Sequence, residues 1–156
     1  MNIDWRLKTW DELSRDELYA ILQLRIDVFV IEQNCPYQDV DNKDQKSLHI
    51  FGMDANNKCV ACLRLVNPGI SYDEWSIGRV ATSPEVRRNG VGKLIMQKAM
   101  DYFMQSLNQP PIRISAQSYL EKFYSLFGFV VVSEPYLEDD IPHIEMLYST
   151  QNKKSD

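Results

Sequence analysis

Apolar and polar positions change period several times along the chain, and each change marks an element. Residues 2–8 read as a first strand. Residues 13–33, LSRDELYAILQLRIDVFVIEQ, then repeat apolar positions at helical spacing, with Leu18, Ile21, Leu22, Val28 and Phe29 on one face. Ser14 and Glu17 form an S-x-x-E capping box at the start of that helix. Arg25 falls within the apolar face, and a buried charge needs a partner or a cleft. Glu32, seven residues further on, is the expected partner. Residues 34–47 are polar and carry Pro36, so they read as a loop. HIFGMD and CVACLRLV are strands around a hairpin turn at Asn56-Asn57. EWSIGRVATS is a further strand, stopped by Pro84. Residues 91–107 return to helical period through Val91, Leu94, Ile95, Ala99, Phe103 and Leu107. Pro110-Pro111 precedes a short strand, IRISA, and SYLEKFYSLFG is a helix with a second capping box, Ser118 to Glu121, and a stop at Gly128. FVVVS and IPHIEMLYS are the last strands, and the polar tail QNKKSD is expected to fray. The pattern predicts one α/β domain with a mixed sheet over residues 1–150, followed by a tail at 151–156.

Composition narrows the function classes. A chain of 156 residues, 44% apolar and 25% charged, fits one soluble core. No apolar run approaches the ~20 residues of a membrane span, and MNIDWRLKTW has no signal-peptide pattern, so the expectation is a cytoplasmic protein with no membrane partner. A net charge of −5 argues against general nucleic-acid binding and mildly favours cationic partners such as amines. Three cysteines, Cys35, Cys59 and Cys62, do not make a disulfide framework. Cys59 and Cys62 lie three apart on a strand, so they are expected on opposite faces, as buried thiols without a redox or zinc role. DVDNKD, residues 39–44, has acidic spacing near that of a calcium loop but lacks the glycine at position six and the glutamate at twelve. It is expected to be a solvated loop, a rim for a cationic acceptor. No metal site is expected.

The stretch RRNGVGKLI carries the most chemistry. A Walker A loop needs a glycine where Arg87 stands and a hydroxyl where Leu94 stands, and the dinucleotide pattern G-x-G-x-x-G ends on Ile95. The physical content of both motifs remains. Successive backbone N–H groups over residues 87–92, opening a helix, make an anion site. Gly90 and Gly92 admit close approach, and Arg87 and Arg88 add charge suited to phosphate. On glycine spacing alone, an ordinary strand–turn–helix with solvated arginines is an equal alternative.

The surrounding residues carry a resemblance. IGRVATSPEVRRNGVGKLI resembles the cofactor motif of the GNAT superfamily of N-acetyltransferases, with Arg87, Gly90 and Gly92 matching R/Q-x-x-G-x-G/A. AQSYLEKFYSLFGF resembles the second signature of that superfamily, with Tyr124, Gly128 and Phe129 matching Y-x-x-x-G-F. RIDVFVIEQNCPYQDVD, the later HI and DDIPHI look like the ElaA-type branch. The resemblance implies a mixed, mostly antiparallel sheet with a splayed strand pair and helices on both faces. It implies that Arg87, Arg88, Asn89, Gly90, Val91 and Gly92 hold the diphosphate of acetyl-CoA, that Val80, Ala81 and Thr82 bond the pantetheine arm, and that Gln117 touches the cosubstrate. Tyr124 would protonate the leaving thiolate; packing of a core tyrosine among FYSLF is the alternative.

The base is not settled by the resemblance. Several relatives carry a glutamate on the strand before Gln117, whereas Ile112, Arg113, Ile114, Ser115 and Ala116 include no carboxylate. Glu32 is one substitute, as an anchor for the acceptor amine, against a structural pair with Arg25. His143 is the other, since histidine titrates in the useful range; a hydrogen-bonded core histidine is its alternative. His49 ranks below both. The implied activity is acetyl-CoA-dependent N-acetylation of a primary amine on a small molecule or peptide. A non-catalytic acyl-CoA-binding module is an alternative, and an acyl-homoserine-lactone synthase-like enzyme, prompted by R-x-x-V-F at Arg25–Phe29, ranks last. The oligomeric state, a homodimer included, stays open.

Overall fold

The computed structural model describes residues 2–150, so the expected fraying of 151–156 lies outside the described residues. Strand β1 (Asp4–Thr9) leads to helix α1 (Arg15–Arg25). Ser14 accepts from the backbone of Glu17 and Glu17 reaches back to the backbone of Ser14, so the capping box forms. Burial alone would raise the Glu17 carboxyl, but bonds to Lys8, Ser14 and Arg6 outweigh it and bring it down to about 2. The helix does continue past Arg25, but it widens into a π-helical turn over Ile26–Glu32. Strands β2 (Ser47–Met53), β3 (Cys59–Val66) and β4 (Ser76–Thr82) follow. Helix α2 (Val91–Ser106) precedes β5 (Ile112–Gln117), and the short α3 (Glu121–Ser125) precedes β6 (Val130–Val131), β7 (Tyr136–Glu138) and β8 (Ile141–Tyr148).

Two four-stranded sheets result. One runs β1-β2-β3-β4, all antiparallel; the other runs β5-β8-β6, with β7 also on β8. They meet at one point, a parallel bridge between Trp75 and Ile112, where the Arg113 N–H donates to the Trp75 carbonyl at 2.8 Å. Beyond that bridge β4 and β5 share no ladder, so the main-chain groups along their facing edges are open to a ligand. This is the splayed pair, within an α/β arrangement of mostly antiparallel strands.

Helix α2 covers one face of the sheets through Val91, Ile95, Met96, Ala99, Met100 and Phe103, all buried. α1 covers the other face of the first sheet through Ala20, Ile21, Leu24 and, in the π turn, Val28. Leu94, expected on the apolar stripe, is 44% exposed. Removing the stripe from water supplies most of the force that holds each helix down, at roughly 1.5–3 kcal/mol for each large side chain.

Four expectations are corrected. The register of β2 against β3 slips between Gly52 and Met53, so Val60 is an extra residue in β3. That bulge turns Cys59 and Cys62 to the same face, where both pack under α1. The Cys59 Sγ donates to the Ala61 carbonyl at 3.3 Å, and both cysteines are free thiols. The second capping box does not form: Ser118 opens a 3-10 turn, and its buried hydroxyl has no partner. Gln117, the last residue of β5, occupies the cap position instead. Strand β7 is an element that the sequence pattern leaves out, because Pro135 and a run of acids mask its three residues. Finally, 39–44 is no solvated loop: Asp39 and Asp44 are 5% and 4% exposed.

Candidate active site

The splay between β4 and β5 opens a cavity of about 1000 Å³. It follows β4 from Ser76, Ile77, Gly78, Arg79 and Val80 to Thr82 and on to Arg87 and Gly92. Six residue steps at ~3.3 Å make that wall roughly 20 Å long. Its other wall includes Ser115 and Gln117 of β5, Tyr124 of α3 and His143 of β8.

The helix-mouth end is a local structure. Pro84–Val86 form a 3-10 turn capped by the Ser83 hydroxyl, and Arg88 and Gly90 both take positive φ, 69° and 74°, to swing the chain into α2. Gly90 is the N-cap of α2 and has no side chain to close the first turn. The first-turn N–H groups of a helix lack intrahelical partners, which is what an anion site requires. A Cβ at Gly90 would meet nothing in the protein, so glycine answers to φ at that position; a Cβ at Gly92 would stand 3.9 Å from the Phe123 ring. Arg88, Asn89 and Gly90 are exposed at the mouth, while Val91 sits in the core and Ala81 packs beneath α1.

Glu32 and Arg25 find different partners from those expected of each other. Arg25 is 1% exposed; its Nη1 donates to Asp44 at 2.7 Å and its Nε faces Asp39 at 3.0 Å. Glu32 has swung to Arg87 and accepts from both of its terminal nitrogens. The widened turn at 26–32 rotates Glu32 off the Arg25 face. Arg87 also donates to the Thr82 carbonyl from Nε at 3.1 Å and from Nη2 at 2.9 Å. Its guanidinium thus ties the loop to the end of β4. The Arg87 bond holds Glu32 below the usual carboxylate range, against a smaller opposing effect of burial.

Midway along β4 stands a second bulge. Register slips between Cys62 and Arg64, and Arg79 takes φ 51°. A residue with a Cβ costs roughly 1–2 kcal/mol in that region, so something must hold it. Arg79 Nε lies 3.1 Å from Asp39, its Nη2 donates to the Asp39 carbonyl at 3.0 Å and to Asp41 at 3.3 Å, and its guanidinium covers the Tyr37 ring. Asp41 and Asp44 also take Arg64, at 2.6 and 2.9 Å. Three arginines and three aspartates therefore form one neutral, largely buried network behind the cavity. Burial alone would raise Asp44 and Asp41, but the Arg25 bond holds Asp44 below the usual range and the Arg64 bond holds Asp41 well below it. His49 belongs here too: its Nε2 meets the Asp44 carbonyl at 2.9 Å, and burial pulls its pKa down. It does not line the cavity.

Tyr124 is 7% exposed, lies edge-on to Phe123 and Phe129, and lines the cavity. The ring packs in the core, as the core-tyrosine alternative has it, and the residue also borders the cleft. Burial pushes its phenol well above the ordinary value. Gln117 and Gln33 exchange side-chain amide hydrogen bonds across the cavity at 3.3 and 3.4 Å. His143 faces the Ile141 carbonyl from Nδ1 at 2.7 Å, which fixes the proton on that nitrogen. Its Nε2 lies 3.4 Å from Glu138, and its ring stacks on Tyr136. The Ser115 hydroxyl bonds Tyr136 at 2.6 Å and Glu138 at 3.3 Å. Tyr72 joins the group through Ser115 and is pushed up to about 12, chiefly by burial. Tyr37, Ser71, Tyr72, Arg79 and Glu138 line the cavity without having been singled out by sequence, and Lys43 lines it from the stretch expected to rim the acceptor. Only Arg79 had a usable signal, a charged residue inside an apolar strand.

A GNAT fold with an open β4 edge beside a helix mouth defines an acyltransferase. The sequence agrees: a profile described as an acetyltransferase (GNAT) domain matches residues 15–150, and the chain belongs to that family. Its ElaA-like character follows from 42% identity to the protein ElaA of Escherichia coli (strain K12), over 92% of this chain and 95% of the other. The crystal structure of an acyl-CoA N-acyltransferase from Pseudomonas aeruginosa superposes with a TM-score of 0.89 at 41% identity, covering 95% of this chain and 100% of that one. The acyl-homoserine-lactone synthase LasI superposes with a TM-score of 0.74 at 14% identity, over 94% of this chain and 89% of that one, a likeness of fold alone. Membership in this family carries acyl transfer from an acyl-CoA. Among the described residues, no helix is long and apolar enough to cross a membrane.

Proposed function

We propose that this acyltransferase moves an acetyl group from acetyl-CoA to a primary amine by direct attack within a ternary complex. The observation that carries the reading is the single cavity along β4, with an anion-binding helix mouth at one end and proton-handling groups beyond the bulge. The residues fit the cosubstrate. The open edge at Val80 and Thr82 suits an extended amide-bearing arm, and the turn at 87–92 suits a diphosphate. Glu32 orients Arg87 instead of anchoring the amine, since its carboxylate is already committed.

The chemistry then follows from this chain's side chains. The attacking amine must be neutral, and an ordinary alkyl ammonium with a pKa of ~10.4 must lose a proton first. His143 Nε2 is the acceptor, because Nδ1 keeps its proton on the Ile141 carbonyl; Glu138 steadies the resulting imidazolium. As the nitrogen–carbon bond forms, negative charge grows on the thioester oxygen. A main-chain N–H at the β4 bulge, near Val80, stabilises it, a type of contact that contributes about 2.7–4 kcal/mol elsewhere. As the carbon–sulfur bond breaks, the Tyr124 hydroxyl donates a hydrogen bond to the thiolate. Its raised pKa keeps the O–H intact at working pH, so it remains a donor. As the amide forms, the nitrogen gives its second proton to solvent, solvent returns one to sulfur, and the proton held on His143 also passes to solvent.

A thiol-release assay with acetyl-CoA tests this across polyamines, amino acids, aminoglycosides and peptides. Transfer to at least one amine is expected, with acetyl-CoA preferred over long-chain donors. Tight acetyl-CoA binding with no transfer to any amine would leave a binding module instead.

A further inference from the structure

The acceptor end of the cavity carries two charges of opposite sign on opposite sheets. On the first-sheet side, Lys43 lines the cavity; its Nζ donates to the Ser71 hydroxyl at 3.0 Å. Among the described residues no carboxylate lies within ion-pair range of it: Asp41, two residues away, is taken up by Arg64 and Arg79. The neighbouring arginines and aspartates cancel three against three, so among the described residues the Lys43 charge is the one left over on this wall. A half-buried ammonium with two free N–H donors is suited to one more oxygen acceptor. On the second-sheet side, Glu138 and Asp139 line the same cavity beside His143, and among the described residues no arginine or lysine is paired to them. That wall suits an amine and holds the group that takes its proton.

We infer that the acceptor is a free amino acid, held by its carboxylate on Lys43 and Ser71 while its amine points to His143 and Glu138. The inference rests on the N-acyltransferase reading above and adds the class of substrate. A diamine would put a cation on Lys43 and be rejected; an amino-acid amide would lose the charge-assisted bond. The products are an N-acetyl amino acid and the free CoA thiol.

The test compares free amino acids with their primary amides and with diamines, acetyl-CoA being the donor and released thiol the readout. At least one free amino acid is expected to exceed its own amide by about 10-fold or more in kcat/KM, with the difference in KM. Lys43→Met should bring that ratio close to one, and Lys43→Arg should retain most of it. Ser71→Ala, which removes the hydroxyl that aims the ammonium, should lower the ratio less, and it serves if Lys43→Met does not fold. Amides or diamines accepted as well as free amino acids, or a ratio unmoved in both variants, would overturn the inference and leave acyl transfer standing. No transfer to any acceptor of the three sets would overturn the inference, and no transfer to peptides or aminoglycosides as well would overturn both readings together.

Discussion

The two ends of the cavity are built in opposite ways. The helix-mouth end comes from one run of chain, Val80 to Gly92, in which each turn residue sets the next. The acceptor end is assembled from Tyr37–Lys43, Ser71–Tyr72, Ser115 and Glu138–His143, stretches brought together only by the two sheets. Under the proposed function, backbone groups would do the binding at the first end, so few side chains would matter there. At the second, side chains would do it, with a buried ionic network to hold them. Cosubstrate binding should therefore tolerate most substitutions outside its turn, while acceptor binding should depend on residues far from the ligand.

The sharpest break comes at the network. Asp44→Ala leaves Arg25 and Arg64 without a shared partner, and losing one member of a buried pair costs about 3–5 kcal/mol. Denaturant unfolding should reveal a loss of that size; a loss under ~1 kcal/mol would mean the network is not the frame. The same groups set an acid limb. Asp41 and Asp44 titrate in the folded chain below their ordinary value of 3.8, so their stabilisation is complete above it and is lost as pH falls through the folded values. The melting temperature should therefore begin to drop as pH falls below roughly 5 and keep dropping through the folded values, and Asp44→Ala should flatten part of that drop.

Next in size is Tyr124→Phe. Removing a positioned proton or hydrogen-bond donor should cost about 100-fold in kcat with KM for acetyl-CoA little changed. A change under threefold would leave Tyr124 as a core ring only. Gly90→Val follows: a β-branched residue at φ 74° adds at least ~1–2 kcal/mol of backbone strain and crowds the mouth. Acetyl-CoA affinity measured by calorimetry should fall at least ~10-fold, while an acceptor's KM at saturating acetyl-CoA should hardly move. The smallest effect is Glu32→Gln. Its bond to Arg87 is solvent-exposed, and Arg87 keeps the Thr82 carbonyl, so acetyl-CoA affinity should change less than about fivefold.

The same contrast explains what the sequence made legible. The turn 87–92, the capping box at Ser14 and the stripe along α2 are local patterns, and each appears where spacing places it, except that Leu94 of the stripe is exposed. The splayed strands follow from the family resemblance. Apart from the capping box expected at Ser118, a local pattern that does not form, what escaped reading is non-local. Arg25 was recognisable as a buried charge, but nothing in its neighbourhood says that its partners are Asp39 and Asp44. The polarity of 39–44 reads as solvation unless Arg64 and Arg79 are known to stand behind it. One-residue bulges in β3 and β4 reverse the side-chain alternation, which moved Cys62 beside Cys59 and aimed Arg79 inward.

The account turns on where acetyl-CoA lies. A crystal structure of the complex should place its diphosphate against the N–H groups of residues 87–92, its pantetheine arm along Val80–Thr82, and its thioester between the β4 bulge and Tyr124, with the acetyl group toward His143. A diphosphate bound at any other surface, or a thioester turned away from Tyr124 and His143, would contradict it.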